Sequence, residues 1–160
     1  MIETRLDKNF KIKGFFDEET STISYVVYDM TSKKCAVIDS VLDFDFSSGT
    51  IDYHNAEKII SFIEKMKLDL EWLIETHVHA DHLSASPYIQ KKLGGKIGIS
   101  EKISDIQNIF GKTFNAGTEF QRDGSQFDRL FKDNDEYKIG SIKCKVCLLY
   151  TSDAADECSC

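Results

Sequence analysis

Three of the four histidines in this chain fall within six residues, His77-Val78-His79-Ala80-Asp81-His82, one residue after the stretch Leu70 to Glu75. The stretch reads as a strand, and residues two apart on a strand share a face, so His77 and His79 start out on the same side. Asp81 and His82 join them only if the chain curls toward a following helix. The fold must therefore end a strand here and place a tight turn at its tip. Neutral imidazoles with a carboxylate are the donors that zinc, iron and manganese accept. A lone histidine is ordinarily a packing or surface residue. Three with an aspartate at this spacing point to metal binding by His77, His79, Asp81 and His82, with Asp81 also the candidate catalytic carboxylate.

The flanking segments set the frame. Phe10 to Phe15 alternates apolar and polar residues, as a half-buried strand does. Ser21 to Tyr28 is rich in β-branched and aromatic residues, and Cys35 to Ile38 is a third short apolar run. Together they predict an antiparallel meander. Ile59, Ile60, Ile63 and Met66 recur at helical spacing. His54 or Asn55 starts that helix; with His54 as cap, Glu57 falls where a capping carboxylate reaches back. Ser86 to Leu93 predicts a second helix, with Ser86 as cap, Pro87 at its first position and Gly94-Gly95 as its stop. Lys96 to Ile99 is a strand, and Glu136 to Val146 a hairpin turning at Gly140-Ser141. Gly111 to Asp128 shows no clear period and reads as a long, functional loop.

The remaining residues with chemistry get plain readings. His54 is a cap or surface histidine, and Cys35 and Cys144 are packing residues in apolar strands. Trp72, beside Leu73 and Ile74, belongs to the core. Gly94-Gly95 ends a helix and does not cradle a phosphate, because no strand precedes it.

Composition narrows the partners. At 160 residues the chain is the size of one domain. A net charge of −7 leaves no basic footprint for nucleic acid. Runs such as Tyr25 to Tyr28 are too short to span a bilayer, so no membrane partner is expected. Met1 to Lys13 has no apolar core of a secretory signal. Five cysteines, an odd count, favour reduced thiols and a cytoplasmic location.

The motif H-x-H-x-D-H after an apolar strand resembles the signature of the metallo-β-lactamase superfamily. Ser24 to Val27, Ala36 to Asp45, Glu75 to Pro87, Phe110 to Lys112, Phe114 to Gly117 and Asp123 to Phe131 are similar to the persulfide dioxygenase branch and to the bacterial β-lactamase hydrolase-like proteins. The resemblance covers residues 10–146. It implies an α/β (α+β) class, an αββα sandwich, and one ferrous iron that oxidises glutathione persulfide with dioxygen to sulfite and glutathione. A His₂-carboxylate face leaves iron positions open for dioxygen and substrate. His77 would hold the iron, while His79, Asp81 and His82 would orient the ligands. In the two-metal hydrolases of the superfamily, His77 and His79 would share one zinc, and Asp81 and His82 the second. A small thiol or persulfide, with glutathione as part of the substrate, is the expected partner. A glyoxalase-II-like thioester hydrolase using Zn(II) is the alternative, and homodimer formation is left open.

The resemblance stops at Val146. No T-P-G-H-T or G-D-x-L-F segment follows, and His82 is the last histidine. Residues 1–146 are thus expected to form a partial domain, roughly the N-terminal half of the sandwich, on its own a non-catalytic fragment. Cys147 to Asp156 reads as a translated sequencing adapter, which makes 147–160 a non-native tail to be set aside in reasoning about the fold.

Overall fold

A computed structural model describes residues 10–117 and 119–148. A six-stranded sheet runs in the order β1-β2-β3-β6-β8-β9, from Phe10–Asp17, Thr22–Asp29, Lys34–Ile38, Asp69–Ile74, Lys96–Ser100 and Arg129–Phe131. The first three strands pair antiparallel, as the predicted meander requires. The β3, β6, β8 and β9 pairs are parallel. Parallel neighbours need a crossover. The helix α1 (His54–Lys65) supplies the first and α2 (Ser86–Leu93) the second. The third is α3 (Ile103–Thr113).

One face of the sheet packs on α1 and α2. Val26, Cys35, Val37 and Leu73 meet Ala56, Ile59, Ile63 and Ile89, all at most 1% exposed. A register shift between Cys35 and Ala36 turns both Leu70 and Leu73 toward the helices. The opposite face carries Val27, Ala36 and Trp72, covered by the hairpin β10–β11 (Glu136–Ile139, Ile142–Lys145). The mixed α/β class expected of the first part of an αββα sandwich is what these layers form.

Asp29 fastens this hairpin. Its fully buried carboxylate accepts bonds from Ser32 Oγ, Thr31 N, Ser141 N and Ser141 Oγ. Those donors hold it well below the ordinary carboxylate range. Gly140 sits at the turn with φ +58°, where a Cβ would collide with Ser32 Oγ and with Asp29.

Several expectations need correction. Neither His54 nor Ser86 caps its helix. Tyr53 and Ala85 occupy those positions without side-chain caps. Asp43 meets the Asn55 amide instead, at 2.9 Å, and the Ser86 hydroxyl is turned to Glu75. Helix α3 takes up the first residues of the supposed long loop. The strands β4 (Val41–Asp45), β5 (Thr50–Asp52) and β7 (Leu83–Ser84) form a small separate sheet. The hairpin and the Gly94 stop match the expectation. So do Cys35, fully buried, and Trp72, packed on Phe131 and Tyr137. Residues 149–160, most of the proposed tail, lie outside the described residues. Among the described residues no helix is long and apolar enough to cross a membrane.

Candidate metal centre

The site forms where β3 and β6 end side by side. β3 ends at Ile38, and the next residue, Asp39, turns the chain sharply with a φ of +50°, a conformation aspartate tolerates better than most residues. Its amide donates to Ile74 O at 2.9 Å, which keeps the two strand ends together. Beyond Ile74 the chain runs through Glu75, Thr76 and the histidine turn. It is recaptured when Leu83 and Ser84 pair with Leu42 and Val41 of β4.

The turn brings together all four residues that the sequence singled out. The His77 and His79 rings lie 4.1 Å apart, and those of His79 and His82 stack at 4.2 Å. Donor atoms of His79, Asp81 and His82 fall within 4.8 Å of one another, as do those of Asp39, His77 and His79. The two groups share His79. Asp39 is the residue that sequence reasoning missed as a member of the site. His54 is exposed at the start of α1, outside both groups.

Hydrogen bonding presets the imidazoles. Asp39 can only accept, so His79 Nε2, at 3.0 Å from Oδ1, carries the proton, and Nδ1 is bare. Thr76 donates its one hydroxyl proton to Asp39 Oδ2 at 2.6 Å. It must then accept from His77 Nδ1 at 2.8 Å, which leaves His77 Nε2 bare. His82 Nδ1 donates to Leu83 O at 3.1 Å. Its Nε2 is buried and has no hydrogen-bond partner among the described residues. A buried nitrogen lone pair without a donor is costly unless something electropositive meets it. The His79–Asp81–His82 group therefore fits a divalent metal: two imidazole lone pairs fixed from behind, with a carboxylate beside them.

The electrostatics differ between the rings, favouring a neutral His77 and a charged His79 that must give up a proton before it ligates. Burial alone would raise the Asp39 carboxyl, yet the bonds from His79 and Thr76 hold it below its ordinary value. Burial would lower His79, but the Asp39 bond and the nearby carboxylates raise it. Burial and the neighbouring His79 depress His77, which favours its neutral, ligating form. Asp81 is exposed and accepts from Thr22 Oγ1 at 3.1 Å. Burial works against its ionisation, but that bond, its own backbone amide and the adjacent histidines keep its carboxyl below the usual range.

Two cavities flank the cluster. One of about 330 Å³ is walled by Ile97, Ile99, Ile103 and Phe127. Gln126 and Phe127 bring the supposed functional loop to this cavity, beside His77. The other, about 540 Å³, lies between the turn and β4 and carries Phe44, Phe46 and Asp17.

Comparison with known proteins follows the same lines. The model of the metallo-beta-lactamase superfamily matches residues 18–143. A probable metallo-hydrolase of Burkholderia pseudomallei strain 1710b is 47% identical over 135 residues, 84% of this chain and 46% of that protein. A beta-lactamase hydrolase-like protein of Xylella fastidiosa strain 9a5c is 43% identical over 145 residues, 91% of this chain and 33% of the relative. The mitochondrial persulfide dioxygenase ETHE1 of Bos taurus is 24% identical over 96 residues, 60% of this chain and 34% of the enzyme. Among solved structures, ETHE1 from Myxococcus xanthus superposes with a TM-score of 0.59 at 21% identity, over 83% of this chain and 45% of that one. The chain thus spans less than half the length of these relatives.

Proposed function

The chain belongs to the metallo-beta-lactamase superfamily, and from that premise we propose that its histidine turn is one wall of a metal-dependent active site acting on a small sulfur compound. The single observation that carries the metal reading is the grouping of His79, Asp81 and His82 donor atoms within 4.8 Å of one another, with the His82 Nε2 lone pair buried and without a partner among the described residues. The proposed reaction is the oxidation of glutathione persulfide by dioxygen to sulfite and glutathione. It is proposed for a chain of the relatives' length that carries these residues. The likeness to the bovine persulfide dioxygenase supports it.

The bare nitrogens of His79 and His82 would hold the ion together with Asp81, and His77, grouped with Asp39 and His79, stands beside them. A ferrous ion there supplies the redox capacity that sulfur oxidation needs, whereas zinc supplies Lewis acidity alone. The chain's own groups do the rest. Asp39 fixes the His79 ring and, through Thr76, the His77 ring. Asp81, exposed and anionic, lines the larger cavity, where it can accept a proton or hold a ligand. The smaller cavity sets an apolar wall of Ile97, Ile99 and Phe127 beside His77.

A second reading, hydrolysis of a glutathione thioester, is favoured by the likeness to hydroxyacylglutathione hydrolase 1 of Vibrio vulnificus, 31% identical over 104 residues. One assay separates the two. Iron-dependent consumption of dioxygen with glutathione persulfide supports the first. Cleavage of S-lactoylglutathione without any uptake of dioxygen would reject it.

A further inference from the structure

Glu75 stands one residue beyond β6 and is 5% exposed. Its Oε1 accepts two hydroxyls, Ser84 Oγ and Ser86 Oγ, each at 2.5 Å. Both serines lie past the histidine turn, nine and eleven positions along the chain. One carboxylate oxygen therefore ties the entrance of the turn to its exit. Ser86 Oγ continues to Ser40 Oγ at 3.1 Å, which links the clasp to the residue after Asp39. The second oxygen, Oε2, is buried with no hydrogen-bond partner among the described residues and lies 3.8 Å from His79 Nε2.

A buried carboxylate is expensive to keep in a fold unless its charge and lone pairs are met. Here both hydroxyl partners belong to the clasp across the turn, and the charge faces the protonated edge of His79. We propose that Glu75 is a positioning residue: by clasping Ser84 and Ser86 it closes the turn and holds the His79 and His82 rings at the separation that metal capture requires. The inference rests on the metal-centre reading above. Methionine at this position has nearly the same length but offers no oxygen to accept the two serine hydroxyls. It should therefore release the clasp without opening a large cavity.

The test uses the 160-residue chain, its E75M variant and the S84A and S86A variants. Cobalt(II) titration followed by visible absorption reads metal affinity. Two-dimensional NMR of the metal-free chain reads the contact between the His79 and His82 rings. Glu75→Met is expected to weaken cobalt binding by about tenfold to a hundredfold. It should also abolish the inter-ring contact while amide signals of β1–β3 and α1 stay in place. S84A and S86A should each reproduce part of both effects, and they carry the test if E75M does not fold. Unchanged affinity and unchanged ring contact in E75M would overturn the proposal. If the unsubstituted chain takes up no cobalt, the metal-centre reading fails. The ring contact then decides the role of Glu75: its loss in E75M supports the clasp, and its survival removes it.

Discussion

Asp39 and His79 are forty positions apart in the chain, yet Asp39 Oδ1 lies 3.0 Å from His79 Nε2. The same carboxylate takes both the amide and the hydroxyl of Thr76. Asp39→Ala releases two imidazole rings at once. Metal affinity is expected to fall by about tenfold to a hundredfold, read by calorimetry with zinc. An affinity equal to that of the unsubstituted chain would show that the rings are held by something else.

Asp29 makes acid stability a local matter. Its carboxyl is held below its ordinary value of 3.8 chiefly by Ser141. A depressed folded value means that its contribution is complete above about pH 4 and is lost as the pH falls toward the folded value. The unfolding midpoints of the chain and of Asp29→Asn, followed by circular dichroism, should differ above about pH 4 and draw together toward pH 2. A constant gap across that range would count against it.

Burial pushes the Cys35 thiol up to about 12. The thiolate is the reactive form, so Cys35 should resist iodoacetamide in the native chain at pH 8 and react once denatured. Cys147, which is exposed, should label at once. Mass spectrometry of the peptides reads both, and rapid native labelling of Cys35 would mean that the sheet opens readily.

Ile59 is fully buried between α1 and the sheet. Ile59→Ala should cost about 2–5 kcal/mol, because the cavity adds to the lost transfer energy. Urea unfolding would measure it, and a loss under about 1 kcal/mol would mean that the layer collapses around the gap.

Ile12 and Phe16 of β1 are 56% and 57% exposed, with Ile23 and Tyr25 of β2 also open on the same strand pair. Contiguous apolar surface next to an edge strand favours association. Light scattering should show concentration-dependent aggregates of the chain, reduced in the Ile12→Lys and Phe16→Ser double variant. Equal scattering by both would place the sticky surface elsewhere.

Much of this site could be seen in the sequence, because His77, His79, Asp81 and His82 are neighbours and their chemistry is carried by spacing alone. Asp39 and Glu75 could not be placed in the same way. Their roles arise from parallel pairing of β3 with β6 and from the recapture of the chain at Ser84, which are long-range events. Asp39 left one usable signal, a carboxylate closing the apolar run Ala36 to Ile38. Helix α3 was missed because Ile103, Gln107 and Gly111 line its buried side, and glutamine and glycine blur the apolar period. Strands β4 and β5 alternate over too few residues to be distinguished from a loop. The first two strands, α1 and the last hairpin were legible because their apolar residues recur at the period of the element, and β3 because it is a short apolar run.

The Asp29–Ser141 bond closes a loop of 112 positions. Loops of that length close late in folding, after local pairs have formed. During synthesis β2 emerges long before Ser141, so the Asp29 side chain must wait with half of its donors still unmade. Until they arrive, the face of β2 and β3 that the hairpin will cover is open to other chains. The order of manufacture thus sets a window of vulnerability, and the ribosome's pace across residues 30–141 sets its duration.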